Sequence, residues 1–196
     1  MRSDNPNSGQ SGDSIACDSA RVALASAVDF QLCLPNRIFA VGWNDFLFFH
    51  ADSLFEPDFV ETVKLLLHLE TGRCACVAKL EPSPPQPNCF FMRAETVSED
   101  YLAVLNGDRS QGGWIYSMGR FGVISDADNW CIYCEREEEF AVVAFREKCP
   151  TTVRNAFANR FGAAPIKDAL ADPKAFAPAV TLPWRLDLLR NFGNAE

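Results

Sequence analysis

The sequence predicts an α+β protein, with a central, mainly antiparallel β-sheet flanked by N-terminal and C-terminal helices. Three observations carry this. Residues 113–146 read as a meander of four short strands. Helical spacing of apolar residues is confined to segments before and after it. Strands gathered in the middle, rather than alternating with helices, argue against βαβ winding.

Taken in chain order, residues 1–14 (MRSDNPNSGQSGDS) hold four Ser, two Gly and no large apolar side chain after Met1, which predicts a disordered tail. The rest, 15–196, reads as one α+β domain, since its length suits a single core. Residues 16–34 have Leu24, Ala27, Val28 and Leu32 roughly in helical phase. Arg37–Val41 and Phe46–Phe49 look like a strand pair joined by Gly42-Trp43-Asn44-Asp45. The clearest helix begins at Pro57, a residue suited to a first helical position. Phe59, Val63, Leu66, Leu67 and Glu70 follow in phase, and Gly72 stops it.

Arg73–Leu80 is then a strand, with Cys74, Cys76 and Ala78 on one side. Residues 81–88 (EPSPPQPN) carry four prolines and read as an extended loop. Cys89–Ala94 resumes as a strand. Ser98 is placed to cap a short helix with Glu99 and Asp100 in its first turn, ending at Asn106-Gly107.

In the meander, Trp114, Tyr116 and Met118 share one strand face, and Gly119-Arg120 supplies a turn. Phe121–Ile124 contains Gly122, a mark of a bulge or a close backbone approach. Asp126–Asn129 is a second turn. Trp130–Cys134 and Phe140–Phe145 follow, the last apolar enough to be covered on both faces. Beyond Pro150, Thr151–Phe161 is helical with Val153, Phe157 and Phe161 four apart, and Gly162 closes it. A last helix starts near Pro183 and bears Trp184, Leu188 and Leu189. The segment 150–196 is expected to be helical and to pack back on the sheet.

No stretch approaches the roughly 20 apolar residues a membrane helix needs. Residues 20–28 (ARVALASAV) have the wrong charge pattern for a secretory signal. A cytoplasmic protein with mostly free thiols is therefore the expectation for the eight cysteines. Cys74, Cys76, Cys89, Cys131 and Cys134 sit in apolar, strand-like surroundings and read as small buried hydrophobes.

The net charge of −8 is uneven. Residues 1–149 carry 12 Lys plus Arg against 22 Asp plus Glu, whereas 150–196 carry six against four. Between Ile38 and Val63 there are five acids (Asp45, Asp52, Glu56, Asp58, Glu61) and no Lys or Arg. An acidic surface disfavours nucleic acid, whose phosphates need basic contacts. It suits a basic protein partner, although a merely solvating face has the same composition.

Catalytic and metal patterns are weak. Cys131-x-x-Cys134 with Cys74-x-Cys76 could supply four thiolates for zinc. Residues three apart on a strand point to opposite faces, however, and the glycines of a zinc knuckle are missing. A redox CxxC belongs at a helix N-terminus, not in a strand. Of the two histidines, His68 reads as a packing or rim residue and His50 follows the FLFF strand, and no nucleophile is identifiable for either. The Glu135–Glu139 carboxylates lie at a turn, where like charges are hydrated. Gly107–Gly113 precedes a strand, the wrong context for a phosphate cradle. No dinucleotide, P-loop, zincin or nucleophile-elbow motif occurs. No metal or cofactor is implied, and a non-enzymatic protein is favoured.

Tyr101-Leu102-x-x-Leu105-Asn106-Gly107, followed by strands opening at Trp114, resembles a helix-to-sheet element of the SUKH superfamily of bacterial immunity proteins. The resemblance covers about 25 of the 196 residues. It implies a cytosolic protein that neutralises a toxin by binding it, and it carries over no site residue.

The leading expectation is therefore a binding module for a basic protein, possessing a surface at Trp43, Asp45, Asp52, Glu56 and Asp58, where aromatic anchors beside acids make effective interfaces. A second is a small enzyme or ligand-binding domain, its pocket lying between sheet and C-terminal helices near His50 or Tyr116. A third is a structural accessory subunit with an exposed apolar patch at Trp184-Leu188-Leu189.

Overall fold

Alternation along Trp130–Glu135 assigns side chains to layers: Trp130, Ile132 and Cys134 enter one apolar cluster, Cys131 and Tyr133 the other. A strand with both faces apolar must be covered twice. The computed structural model, which describes residues 8–80, 89–107, 113–114, 119–171 and 181–193, shows how. The elements are α1 (Ser8–Ala27), β1 (Trp43–His50), a 3₁₀ turn (Ala51–Leu54), α2 (Asp58–Glu70), β2 (Ala75–Lys79), β3 (Cys89–Met92), α3 (Ser98–Asn106), β4 (Arg120–Ser125), β5 (Trp130–Glu135), β6 (Phe140–Arg146), α4 (Thr151–Phe161), α5 (Ile166–Ala171) and α6 (Leu182–Phe192).

The fold is α+β. The six strands form one antiparallel sheet in the order β1-β6-β5-β4-β2-β3. One face is covered by α2, α3 and α4, the other by α1, α5 and α6. Aromatic side chains fill both layers. Phe157 meets Trp130 and Phe145 edge-on, each at 5.4 Å. On the opposite face Phe192 meets Phe46 at 5.1 Å and Phe48 at 5.5 Å. The edge strand β1 is bridged from outside, where Phe48 and Ala164 exchange N–H···O bonds of 2.7 and 2.9 Å.

Helix α2 follows its sequence signals closely. Pro57 precedes Asp58 and Glu61 in the first turn, where acids complement the helix dipole. At the other end Gly72 N–H bonds the Leu67 carbonyl at 2.8 Å and Thr71 N–H bonds that of His68 at 3.3 Å, a Schellman closure. The left-handed residue is Thr71 (φ 59°), not Gly72. Gly72 is required for a different reason: a Cβ there would lie 3.0 Å from Leu67 and 3.1 Å from Asp126. Glu70, the last residue of α2, is buried and accepts from Trp130 Nε1 at 2.7 Å and Asn129 Nδ2 at 3.0 Å. This fastens the helix to the turn between β4 and β5.

Several expectations need correction. Helix α1 starts at Ser8, inside the segment whose composition predicts disorder, and stops at Ala27; its stripe of Ala16, Ala20, Leu24 and Ala27 is buried. Arg37–Val41 is not a strand: Phe39 makes a single bridge to Val28, and Ile38 is buried from an irregular segment. Trp114 is helical rather than the start of a strand, and 115–118 lie outside the described residues, as do 1–7, the proline-rich 81–88 and 108–112. Ser98 does not cap α3; Val97 holds that position and the Ser98 hydroxyl donates to the Pro57 carbonyl at 3.0 Å. The short helix α5 has no counterpart in the periodicity analysis. Leu188 is buried, and Trp184 and Leu189 pack on the core, so they form no open apolar patch.

Gly122 is a point of close approach between α1 and the sheet. A Cβ there would stand 2.8 Å from Leu24 Cδ1, in a layer with no spare volume. Gly122→Ala should therefore cost about 1–3 kcal/mol, measured as a lowered urea midpoint. Combined with Leu24→Ala, the loss should fall short of the sum of the single losses, because the two changes share one space.

Candidate functional site

The structure separates the five residues predicted to form one binding surface. Trp43 is fully buried, with the Arg146 guanidinium 4.3 Å from its ring centre, so it is no exposed anchor. Asp45 is half-buried and ion-paired with Arg154 of α4. Both sit at the start of β1. His50 ends that strand, seven residues on, which at about 3.3 Å per residue is roughly 23 Å away. Asp52, Glu56 and Asp58 lie exposed beyond it.

At that far end the fold adds acids from elsewhere in the chain. The Ser98–Pro57 bond sets the first turn of α3, with Glu99 and Asp100, beside the first turn of α2, with Asp58 and Glu61. The turn between β5 and β6 arrives from the other side: Ala51 N–H bonds the Glu139 carbonyl at 3.0 Å, and His50 Nε2 lies 3.5 Å from Glu139 Oε2. His50 Nδ1 accepts from Asp52 N–H at 3.2 Å, so the ring's proton is on Nε2, facing Glu139. The histidine is thus a cap for the 3₁₀ turn.

Helix dipoles account for Asp58, Glu61, Glu99 and Asp100. They do not account for Asp52, Glu56, Glu137 and Glu139, which are also exposed. Lys64 is engaged with Glu61 at 2.8 Å, and Arg136 lies 5.3 Å from the Phe55 ring centre. Three segments far apart in sequence therefore converge on one acidic end of the molecule.

A second polar constellation adjoins it. Glu135, 7% exposed, accepts from Leu34 N–H at 2.7 Å and from the Tyr133 hydroxyl at 2.5 Å. Burial raises its pKa above the ordinary carboxylate value, against the hydrogen bonds from Tyr133 and Leu34 that lower it. A cavity of about 510 Å³ opens here, lined by Gln31, Cys33, Gly119, Arg120, Glu135, Glu137 and Glu138. A buried carboxyl beside a phenol and a guanidinium can exchange a proton or bind a cationic group. The sequence treated Glu135 as part of a hydrated turn. Its in-phase position after Tyr133 was the available signal, because it places the side chain on a covered face.

The cysteines show why CxxC spacing fails here. Cys131 and Cys134 point into opposite layers, and burial pushes both thiols up. Among the described residues no group of His, Cys, Asp and Glu is arranged to hold a metal ion, and no helix is long and apolar enough to cross a membrane. Tyr116 lies outside the described residues. Compared with protein families, curated proteins and solved structures, the chain matches none.

Glu135 yields a pH test. A carboxyl whose pKa is raised by folding binds its proton more tightly when folded, so its contribution is fully present below the unfolded value of 4.5 and is lost as pH rises through the folded value. Glu135→Gln keeps an oxygen for the Leu34 N–H and does not ionise. Relative to the parent, the urea midpoint of Glu135→Gln should rise as pH increases above 4.5. A gap independent of pH would show that Glu135 ionises no differently in the fold.

Proposed function

We propose that the protein is a non-enzymatic binding module whose acidic end, built on Asp52, Glu56 and Asp58, engages a basic protein partner. The observation that carries this reading is the convergence there of three separate segments, with Glu137 and Glu139 adding to the acids of two helix N-termini. Such a field accelerates encounter with a cationic partner and suppresses anionic ones. Trp43 and Asp45 leave the proposed surface, since one is buried and the other neutralised. An inhibitor-like role that neutralises a toxin is the form suggested by the SUKH resemblance. A basic partner, a cytoplasmic setting and the absence of nucleic-acid binding all belong to this proposal.

The Glu135 cavity supports a second reading, a pocket for a small cationic ligand, because its carboxyl is buried, oriented by two hydrogen bonds and adjacent to open volume.

The test is capture of partners by the tagged protein from native lysate, washed at low and then at high salt. A stoichiometric basic protein released by salt is expected. Against that partner, Asp52→Lys with Glu56→Lys should weaken Kd by about tenfold or more and flatten its salt dependence. Asp45→Asn should leave both unchanged. A partner indifferent to the first pair would place the interface elsewhere.

A further inference from the structure

We propose that Cys17 and Cys74 form a peroxide-sensing dithiol, oxidised to a disulfide that locks helix α1 onto the sheet. The two sulfurs lie 2.7 Å apart, 57 residues apart in sequence, one on α1 and the other just before β2. That is within about 0.7 Å of the length of an S–S bond. Arg93, next to the end of β3, directs Nη2 at the Cys17 sulfur from 3.2 Å. The guanidinium is placed to offset negative charge on a sulfur as it attacks.

The two thiols have different surroundings, which orders the steps. Cys17 is 5% exposed and Cys74 1% exposed; Arg93 reaches both sulfurs, but burial and the neighbouring Cys17 still push the Cys74 thiol up. Arg93 also lines a cavity of about 290 Å³ with Asp13, Lys64, His68, Arg73 and Glu95, an opening wide enough for a small peroxide. The Cys17 thiolate attacks the peroxide; an S–O bond forms, the O–O bond breaks, and the departing oxygen takes up a proton and leaves as an alcohol, or as water from hydrogen peroxide. Cys74 then attacks the Cys17 sulfur. The S–S bond forms, the S–O bond breaks, and the hydroxide leaves as water with the Cys74 proton. Two thiols have supplied two electrons to one peroxide.

Oxidation would change a contact on which α1 depends. Ala16, Cys17 and Cys74 form a small cluster separate from the two main layers, with Phe91 packed against it. A covalent bond here would fix the N-terminal half of α1, while Leu24 and Ala27 already hold the other half. A second hydrogen-bonded pair, Cys76 with Cys89, lies on the neighbouring strands; contact with Cys76 lowers the Cys89 thiol to about 7. It is the competing dithiol that a test must separate.

The experiment treats the reduced full chain with stoichiometric hydrogen peroxide, blocks remaining thiols with a maleimide and maps the linked peptides by mass spectrometry. A Cys17–Cys74 link, reversed by a small dithiol and accompanied by a higher Tm, is expected. Cys74→Ser should stop at a sulfenic acid on Cys17 that a dimedone probe traps. Arg93→Gln, a change outside the core, should slow oxidation of Cys17 by about tenfold or more. A Cys76–Cys89 link in place of Cys17–Cys74 would overturn the proposal, as would an Arg93→Gln protein oxidised at the parent rate.

Discussion

A sheet that is dry on both sides is the constraint from which the rest of this architecture follows. Strands β4, β5 and β6 bury nearly every residue, so neither face can be left to water. Antiparallel sheets often keep one wet face, and their sequences then alternate apolar with polar. Here FAVVAF in β6 alternates between two apolar layers instead. Two sets of helices become obligatory, and the chain supplies them from both ends. Several of the polar groups drawn inside are bonded in turn, although Trp43 Nε1 is buried without a hydrogen-bond partner. Glu70 receives two side-chain donors, and the Tyr101 hydroxyl donates to the Leu54 carbonyl at 2.9 Å.

Much of this could be read from the residues. The strands of 120–146 and helix α2 combine strong periodicity with local stop signals, and both lie where the patterns put them. Gly122 announced a close approach, which is made by Leu24. The errors share a cause, since each concerns residues whose state is decided by a distant neighbour. Ile38 and Phe39 look like strand residues because they are apolar, yet they are buried from an irregular segment beneath which Trp43 and Phe46 pack. Ser98 has a capping residue's chemistry but spends its hydroxyl on α2. The small polar residues that begin α1 carry little helical preference, and burial of Ala16 and Cys17 is a tertiary matter.

The candidate site was legible only in part. Acid-rich composition between Ile38 and Val63 indicated a charged surface, but a linear reading cannot know that β1 places Asp45 and Asp52 at opposite ends of the sheet. Nor can it know that Glu99 and Asp100 arrive beside the first turn of α2, or Glu139 beside His50. The buried Glu135 and the Cys17–Cys74 contact are invisible for the same reason: separations of 101 and 57 residues carry no local signal. Charge and thiol chemistry were on the page, while their pairing was a product of topology.

The Phe48–Ala164 bridge has a meaning for association between molecules as well as for the fold. An outermost strand offers backbone donors and acceptors to any extended chain that drifts past, and a long hydrophobic one invites self-templated stacking. With its four aromatic residues, WNDFLFFH would be a potent seed if its margin were bare. The segment after α4 reaches back and occupies that margin at its most apolar point. Thus the C-terminal region acts as a selvedge, keeping the sheet finite so that the molecule can carry so apolar a strand without polymerising through it.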